Sequence, residues 1–509
     1  MSVDLARETY RGLSPAEFFY RNKEIAGFSN PARALYQTIR ELVENALDAT
    51  ELHGILPDIK IFVDVVDPGK NIVKVRVEDN GIGVPKEEVP KVFGMVFYGS
   101  KYKIRQSRGV FGLGVKMAVL YAQITTGKPV YVKSSTIDSK EIYEFEVMID
   151  VINNRPIVLS HRSYRKDNQW HGTVVELTIE GNWSYAKKRI EEYIKRTALI
   201  TPYANIYFKG PDIELAFTRA TRRIPKPPRE GLPHPKGVDI EMLKQMIAMT
   251  EENLSLRDFL IKYFDGVGKI SAETFLKWAG FNPEQSIKTL TLEQLDELAR
   301  KMREYSGWKR PKDISLSPLG EELLRRGIEE VLKPEFIATV TRKPSSYIGN
   351  PFVVETAIAW GGKIPPSEKP ILYRFANKIP LLYDEGADVT RKIVDSIDWS
   401  VYKVKFPAPL LVVVHICSTK IPFKGVGKEA IAEVPELEEE IEAALRECAR
   451  KLRMYITKKE KELELALKRV TFMKYLPEVA SALSYITGKD RAHIERNLID
   501  ILEAKLRGS

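Results

Sequence analysis

Within Arg40-Glu41-Leu42-Val43-Glu44-Asn45-Ala46-Leu47-Asp48-Ala49, the residues Glu41, Asn45 and Asp48 recur at spacings of four and three. On a helix these spacings align the three polar groups on one stripe. Leu35, Leu42 and Ala46 can pack inward, so the stripe alone fits a solvated surface equally well. A second stretch, Val75 to Pro85, alternates like a strand and ends in Asp79-Asn80-Gly81-Ile82-Gly83. Its carboxylate can accept a hydrogen bond from an amine such as that of adenine, and the glycines permit close backbone approach. A plain hairpin turn at Asn80-Gly81 is the simpler alternative. In a third stretch, Gly109, Gly112 and Gly114 lead into an apolar helix after Ser107-Arg108. Free amides at such a helix start attract anionic oxygens, phosphates among them.

These groups need elements to hold them, and the patterning supplies candidates. Asn30 and Pro31 suit an N-cap and first helical residue, which predicts a helix over Pro31 to Leu52. Strands are expected at Ile59 to Val66 and Ile72 to Asp79, and a further helix at Val115 to Gln123. Up to about Phe217 this describes a mixed α/β layer domain. The proline-rich run Arg222 to Gly237 forbids regular helix and marks a stiff linker. Helical periodicity then holds from Asp239 to Tyr305, with turns at Asp265 to Lys269 and Gly280 to Pro283.

Strands return at Phe336 to Thr341, Phe352 to Trp360, Ile371 to Ala376 and Leu410 to Ile416. A charged helix follows from Val434 towards Arg469, and the tail from Phe472 to Ser509 reads as two short helices broken around Gly488. The 509 residues suit about three domains. A hydrophobic fraction of 44% with 29% charged residues excludes wholesale disorder.

Several functional classes drop out. Cys417 and Cys448 are the two cysteines and the six histidines stand singly, so neither a disulfide framework nor a tetrahedral zinc site can be assembled from paired spacings. The apolar run Pro407 to Cys417 is about half the roughly 20 residues that span a bilayer. Met1 to Tyr20 is mixed and charged, unlike a secretory leader, so a cytoplasmic protein without a membrane partner is expected. The net charge of +10 permits a nucleic-acid partner. Neither the P-loop pattern nor the dinucleotide pattern G-x-G-x-x-G occurs, so a bound nucleotide would require another fold.

The acidic-Asn helix, the strand ending in Asp-x-Gly-x-Gly and the glycine-rich stretch, in this order, resemble the GHKL ATPases. Further segments, Leu13 to Phe19, Asn30 to Gln37, Tyr98 to Tyr102 and Cys417-Ser418-Thr419-Lys420-Ile421-Pro422, resemble the B subunits of type IIB DNA topoisomerases, the topoisomerase VI family. The likeness covers nearly the whole chain. It implies a GHKL (Bergerat) α/β sandwich over 1–228 with an N-terminal strap, a helix-two-turn-helix module over 229–308, and a ribosomal-S5-like α/β transducer over 309–470. The helical tail 471–509 would offer a docking element for an A subunit.

By the same resemblance, Glu41 is the general base of ATP hydrolysis and Asn45 holds Mg2+, with Asp48 beside them. Asp79 reads adenine, with Gly81 and Gly83 next to it and Thr173 of the Gly172-Thr173 pair beneath the base. Ser100, Lys101 and the run Gly109, Val110, Phe111, Gly112, Leu113, Gly114, Val115, Lys116 form the lid. A transducer lysine is expected at the γ-phosphate; Gly425-Val426-Gly427-Lys428 fits that loop best, which makes Lys428 a catalytic and ATP-binding candidate, with Lys420 the competitor. Both lysines fit a plain surface loop as well.

The Gly266-Val267-Gly268 turn matches either a phosphate-gripping hairpin or a tight turn between helices. Relatives tend to carry Trp-Lys-x-Tyr where this chain has Trp399-Ser400-Val401-Tyr402, and no role is transferred there. DNA cleavage in this class needs an Asp-x-Asp metal pair, and that pattern is absent from the sequence. The expected partners are therefore a cleaving A subunit in an A2B2 heterotetramer, a second copy of this chain in an ATP-dependent homodimer, and double-stranded DNA. The implied function is ATP-driven clamp closure that captures one duplex for passage through another. A GHKL chaperone or mismatch-repair clamp is the alternative, and a histidine kinase is disfavoured because no histidine precedes His53.

Overall fold

The computed structural model describes residues 12–100, 105–109, 112–167, 169–312, 314–425 and 427–507. Lys101, Val110 and Phe111 lie outside the described residues. An eight-stranded sheet dominates the first part of the chain. From one edge its strands are Arg155–Arg165, Glu141–Asp150, Val130–Ser135, Gly172–Glu180, Ile72–Glu78, Asp58–Asp67, Asn205–Lys209 and Glu214–Phe217. The helices Pro31–Glu51, Gly114–Thr126 and Trp183–Ile200 share one apolar core with its central strands.

The Pro31–Glu51 helix starts where its sequence says it should. The Asn30 side chain accepts the Arg33 amide at 2.9 Å, and Pro31 occupies the first turn, where its missing N–H costs nothing. Between residues 34 and 51 almost every position is buried, including Arg40, Glu41, Glu44, Asp48 and Glu51. The acidic stripe is thus no solvated face.

A small helical unit of Ile240–Met249, Leu256–Tyr263, Lys269–Ala279 and Leu292–Glu304 encloses its own core around Phe259, Phe275 and Leu298. The Gly266 to Gly268 segment is a tight turn there; Gly266 adopts a φ of 71°, and the Ser271 hydroxyl accepts the Gly268 amide at 2.8 Å. The second sheet runs Ser345–Tyr347, Asn350–Trp360, Leu410–Ser418, Ile371–Ala376 and Ile379–Leu381, with Phe336–Thr341 also paired to Asn350–Trp360. Leu410–Ser418 is buried at every position, as expected for a strand covered on both faces.

The two sheets are not separate bodies. Leu199, Ile200 and Tyr203 join Phe375, Leu411 and Val413 in a shared core. Gly327, in the helix Gly320–Leu332, lies so close to the Leu199 carbonyl that a Cβ there would overlap it. Tyr383 is clasped by Arg33 and Arg189, whose guanidinium carbons lie 4.7 and 4.5 Å from its ring centre.

The tail differs from the sequence reading. In place of a break before Phe472, one helix of 53 residues runs Pro435–Thr487 and carries Pro477 within it. Gly488, at φ 66°, ends it in a left-handed cap before the helix Arg491–Arg507. Leu476 and Ala480 are buried although most of their neighbours are exposed.

Candidate functional site

A cavity of about 570 Å³ opens between the Pro31–Glu51 helix, the end of the Ile72–Glu78 strand and the start of the Gly114–Thr126 helix. Its lining includes Glu41, Asn45, Asp48, Asp79, Gly83, Ser100, Gly109, Gly112, Leu113, Gly114, Val115, Lys116, Thr173 and Lys428. Gly81 does not line it; this glycine instead packs against Ala49, whose Cβ would lie 2.7 Å from an added side chain. Lys420 is exposed and also absent from the lining.

Glu41 is buried, and one of its oxygens accepts from the Gln37 Nε2 at 2.9 Å. The other lies against Gly114, where a Cβ would collide with it. The start of the Gly114–Thr126 helix therefore needs a residue without a side chain. The amides of its first turn bring partial positive charge to the same place, suited to an anion. Lys116 donates its Nζ to the Tyr98 carbonyl at 2.7 Å, which ties this helix to the segment before Ser100.

Asp79 ends its strand in a backbone cradle. Its Oδ1 accepts the Gly81 amide at 2.8 Å and the Thr173 amide at 3.2 Å. Burial raises its carboxyl to about 7, and these two hydrogen bonds only partly offset that rise. Gly83, at φ 74°, passes so close to the Ser135 carbonyl that no other residue fits. The Ser134 hydroxyl lies 3.2 Å from that of Thr173, and His171 Nδ1 lies 2.7 Å from the Gly81 carbonyl, so both brace the turn from outside. One polar group at the cavity floor, anion-attracting amides at its rim and a carboxylate beside them suit a purine nucleotide with its phosphates.

Lys428 enters from the second sheet's domain. Its Nζ donates to the Arg108 carbonyl at 3.0 Å and lies 3.9 Å from Glu44. Arg40 fixes that loop: its Nε binds Glu44 at 2.7 Å and its Nη1 binds Glu429 at 2.9 Å, with further contacts to the Gly427 and Lys428 carbonyls. Arg374 holds the loop from the other side through the Glu429 carbonyl at 3.2 Å.

Sequence reasoning passed over this second layer of charge. Arg108 Nη1 binds Asp48 at 3.1 Å and its Nη2 binds Glu51 at 2.7 Å, while Lys378 Nζ reaches Glu51 at 2.9 Å. Burial pushes the Glu51 carboxyl up, but Arg108 and Lys378 outweigh it and hold it below the usual range. Burial likewise opposes the Arg108 cation, and Glu51 and Asp48 more than restore it. Gln37 could have been found, since it stands four residues before Glu41 on the same stripe. For Lys378 the available signal was Ala376-Asn377-Lys378-Ile379, a hairpin tip between two apolar strands. Glu355, His415 and Cys417 also cluster, fully buried. Their donors are committed: Glu355 accepts the Leu319 and Gly320 amides and the His415 ring, and His415 Nε2 accepts the Lys378 amide.

A family model described as the topoisomerase VI B subunit transducer matches residues 311–468, and one for histidine kinase-, DNA gyrase B- and HSP90-like ATPases matches residues 30–153. The chain is 56% identical over 497 residues to the B subunit of the type 2 DNA topoisomerase 6 of Pyrobaculum aerophilum, covering 98% of this chain and 94% of that protein. It is 48% identical over 507 residues to the corresponding protein of Sulfurisphaera tokodaii, covering 99% and 95% respectively. Among solved structures, the N-terminal domain of a DNA repair protein aligns with a TM-score of 0.43 at 11% identity, covering 86% of this chain and 99% of that one.

The raised Asp79 carboxyl sets a sign for pH. A folded-state value above the ordinary 3.8 means the folded protein retains this proton longer than the unfolded chain. The stability that this group contributes is therefore lost between about pH 4 and about pH 7, and its contribution is level above that range. Asp79→Asn removes the ionisation, so its stability relative to the parent should rise across this window, by on the order of 1 kcal/mol since the group still faces the cavity. Urea unfolding at pH 5 and pH 8 measures this; an equal difference at both pH values would reject the assigned burial effect.

Proposed function

Because this chain belongs to the family of type 2 DNA topoisomerase 6 B subunits, we propose that its 570 Å³ cavity is the ATP site that operates a dimeric DNA clamp. The chain is the B subunit of an ATP-dependent type II DNA topoisomerase, with a nucleotide-binding domain of the GHKL ATPase fold and a transducer domain. The observation that carries the site reading is the convergence of Glu41, Asn45, Asp79 and the Gly112 to Lys116 segment on one cavity that Lys428 enters from the transducer.

Glu41 is the general base in this reading. The Gln37 bond occupies one carboxylate oxygen, so the other is left to take a proton from the attacking water. Asp79 accepts the adenine amine, an interaction that favours its ionised form. The amides at the start of the Gly114–Thr126 helix, with Ser100 and Lys101, hold phosphate oxygens. Lys428 neutralises charge at the terminal phosphate and carries the nucleotide state into the transducer.

Asn45 fits magnesium, a hard cation that favours oxygen ligands and keeps several waters, because its carboxamide lines the cavity one turn after Glu41. When bound, the ion would offset negative charge on the phosphates. Asp48 belongs to the wall rather than to the ligand set, since Arg108 takes up its carboxylate.

Two copies of the chain close on ATP, and an A subunit supplies the break in the second duplex, giving an A2B2 assembly. The domain division follows the same reading, with an ATPase domain over 1–228, a helix-two-turn-helix domain over 229–308, a transducer over 309–470 and a docking tail over 471–509. Two free, buried cysteines suit a reducing cytoplasm. Among the described residues no helix is long and apolar enough to cross a membrane. ATP can drive closure only by binding the closed pair better than the open one.

Relaxation of supercoiled plasmid by this chain with ATP should require a tyrosine-bearing cleavage subunit; relaxation by the chain alone would overturn the division of labour. Glu41→Ala should retain ATP-driven dimerisation while turnover falls by about 10²-fold or more, the scale of general-base loss. Undiminished ATPase activity would reassign the base. Lys428→Ala should slow hydrolysis more than Lys420→Ala, and the reverse order would transfer the sensing role to Lys420.

A further inference from the structure

The stretch Gln106 to Arg108 immediately precedes Gly109, where the chain enters the cavity wall. All three of its residues are buried. Each is held by the transducer. The Gln106 amide donates to the Ser315 carbonyl at 2.8 Å, and its side-chain oxygen accepts the Ser317 amide at 2.7 Å. Asn377 Nδ2 donates to the Ser107 carbonyl at 3.1 Å, and Lys428 Nζ donates to that of Arg108 at 3.0 Å. The ATPase side holds the same stretch through Asp48 and Glu51.

The transducer groups are themselves fixed. Asn377 and Lys378 form the tip of the hairpin Ile371–Ala376 to Ile379–Leu381, with φ values of 49° and 64°. Two successive left-handed residues match the tight hairpin turn, in which the tip cannot swing freely. The Asn377 amide is locked by Ser418, accepting its N–H at 2.9 Å and donating to its carbonyl at 2.9 Å. The Lys378 amide is bound to His415 at 3.0 Å. Only about 10 Å³ of free space remains among Gln106, Ser107, Arg108, Ser317, Asn377 and Lys378, no more than one water would fill.

The geometry points to Gln106 and Asn377 as positioning residues that tie the root of the nucleotide-facing wall to the transducer, a mechanical link additional to Lys428. It rests on the reading of the larger cavity as the ATP site. Neither residue lines that cavity, so neither contacts nucleotide. A wall that shifts when ATP binds must either carry the Ser315 to Ser317 segment and the Asn377 hairpin with it or lose these bonds, because a hydrogen bond weakens steeply outside a narrow range of length and angle. The transducer then receives the nucleotide state from the wall's backbone as well as from the lysine.

The test uses the complete enzyme with its cleavage subunit. Asn377→Ala and Gln106→Ala are expected to leave the KM for ATP within about two-fold of the parent, while supercoils removed per ATP hydrolysed fall at least five-fold. A structural defect alone would lower both rates together and leave that ratio intact. Asn377→Asp, which keeps the acceptor for Ser418 but loses the donor to Ser107, should behave like the alanine variant. A ratio unchanged in folded variants overturns the proposal.

Hydrogen exchange on the Lys428→Ala chain gives an independent reading should the other variants fold poorly. Addition of a non-hydrolysable ATP analogue should still alter exchange at the Ser317 and Lys378 amides. Retained analogue binding with no change at these amides places all signalling on Lys428 and overturns the link. No nucleotide uptake by the unaltered chain, read by calorimetry, overturns the ATP-site reading beneath it.

Discussion

Charge that is buried must be met by opposite charge, and the Pro31–Glu51 helix buries more of it than its own domain neutralises. Arg40, Glu44, Asp48 and Glu51 are all nearly inaccessible. Their partners are Arg108 at the root of the cavity wall and, from the transducer, Glu429, Lys428 and Lys378. Taking an ion from water costs several kcal/mol, and losing one member of a buried pair costs about 3–5 kcal/mol. Undocking of the transducer would therefore strip part of this compensation from Arg40, Glu44 and Glu51. Its stripe of Gln37, Glu41 and Asn45 lines the cavity, and its other charges bind the transducer.

This explains why the transducer's approach is so specific in direction. Apolar contacts among Leu199, Tyr203, Phe375 and Leu411 give adhesion with little directional preference. The ion pairs add register, since a slip of a few ångströms would break Arg40–Glu429 and Lys378–Glu51 and leave Arg40 with Glu44 and Glu51 with Arg108 as their remaining partners. Rings add a further constraint: Tyr36 lies 5.2 Å from Tyr383 and 5.7 Å from Tyr193, each edge-on.

Local signals in the sequence proved readable. Asn30-Pro31 marks a helix start by capping chemistry, and the predicted end at Leu52 lies one residue beyond the observed Glu51. Alternation revealed the strands Asp58–Asp67 and Ile72–Glu78, and hence where Asp79 is placed. The charge layer was not readable, because its members are far apart in the chain: Arg40 and Glu429 are 389 residues apart, and Lys378 and Glu51 are 327 apart. No periodicity encodes such a pairing. Glu355 and His415 sit on strands whose interior positions are all buried, where alternation vanishes. The break at Gly488 was legible, but the preceding helix, read as ending towards Arg469, runs on to Thr487 through Pro477. Within a helix a proline costs about 3 kcal/mol. Packing around Leu476 and Ala480 helps offset this and lets the helix continue.

That uninterrupted helix has a mechanical consequence. Residues up to Ile456 pack on the transducer core and Glu460 pairs with Lys403, and the turns beyond project to Thr487 with Arg469 paired to Glu503 of the last helix. At 1.5 Å per residue the projecting part is a rod on the order of 40 Å long. A tilt of about 5° at its root, too small to disrupt the packing there, would sweep the far end through roughly 4 Å. Small repacking at its root would thus appear at the far end as a lever stroke, its gain set by the length of the rod.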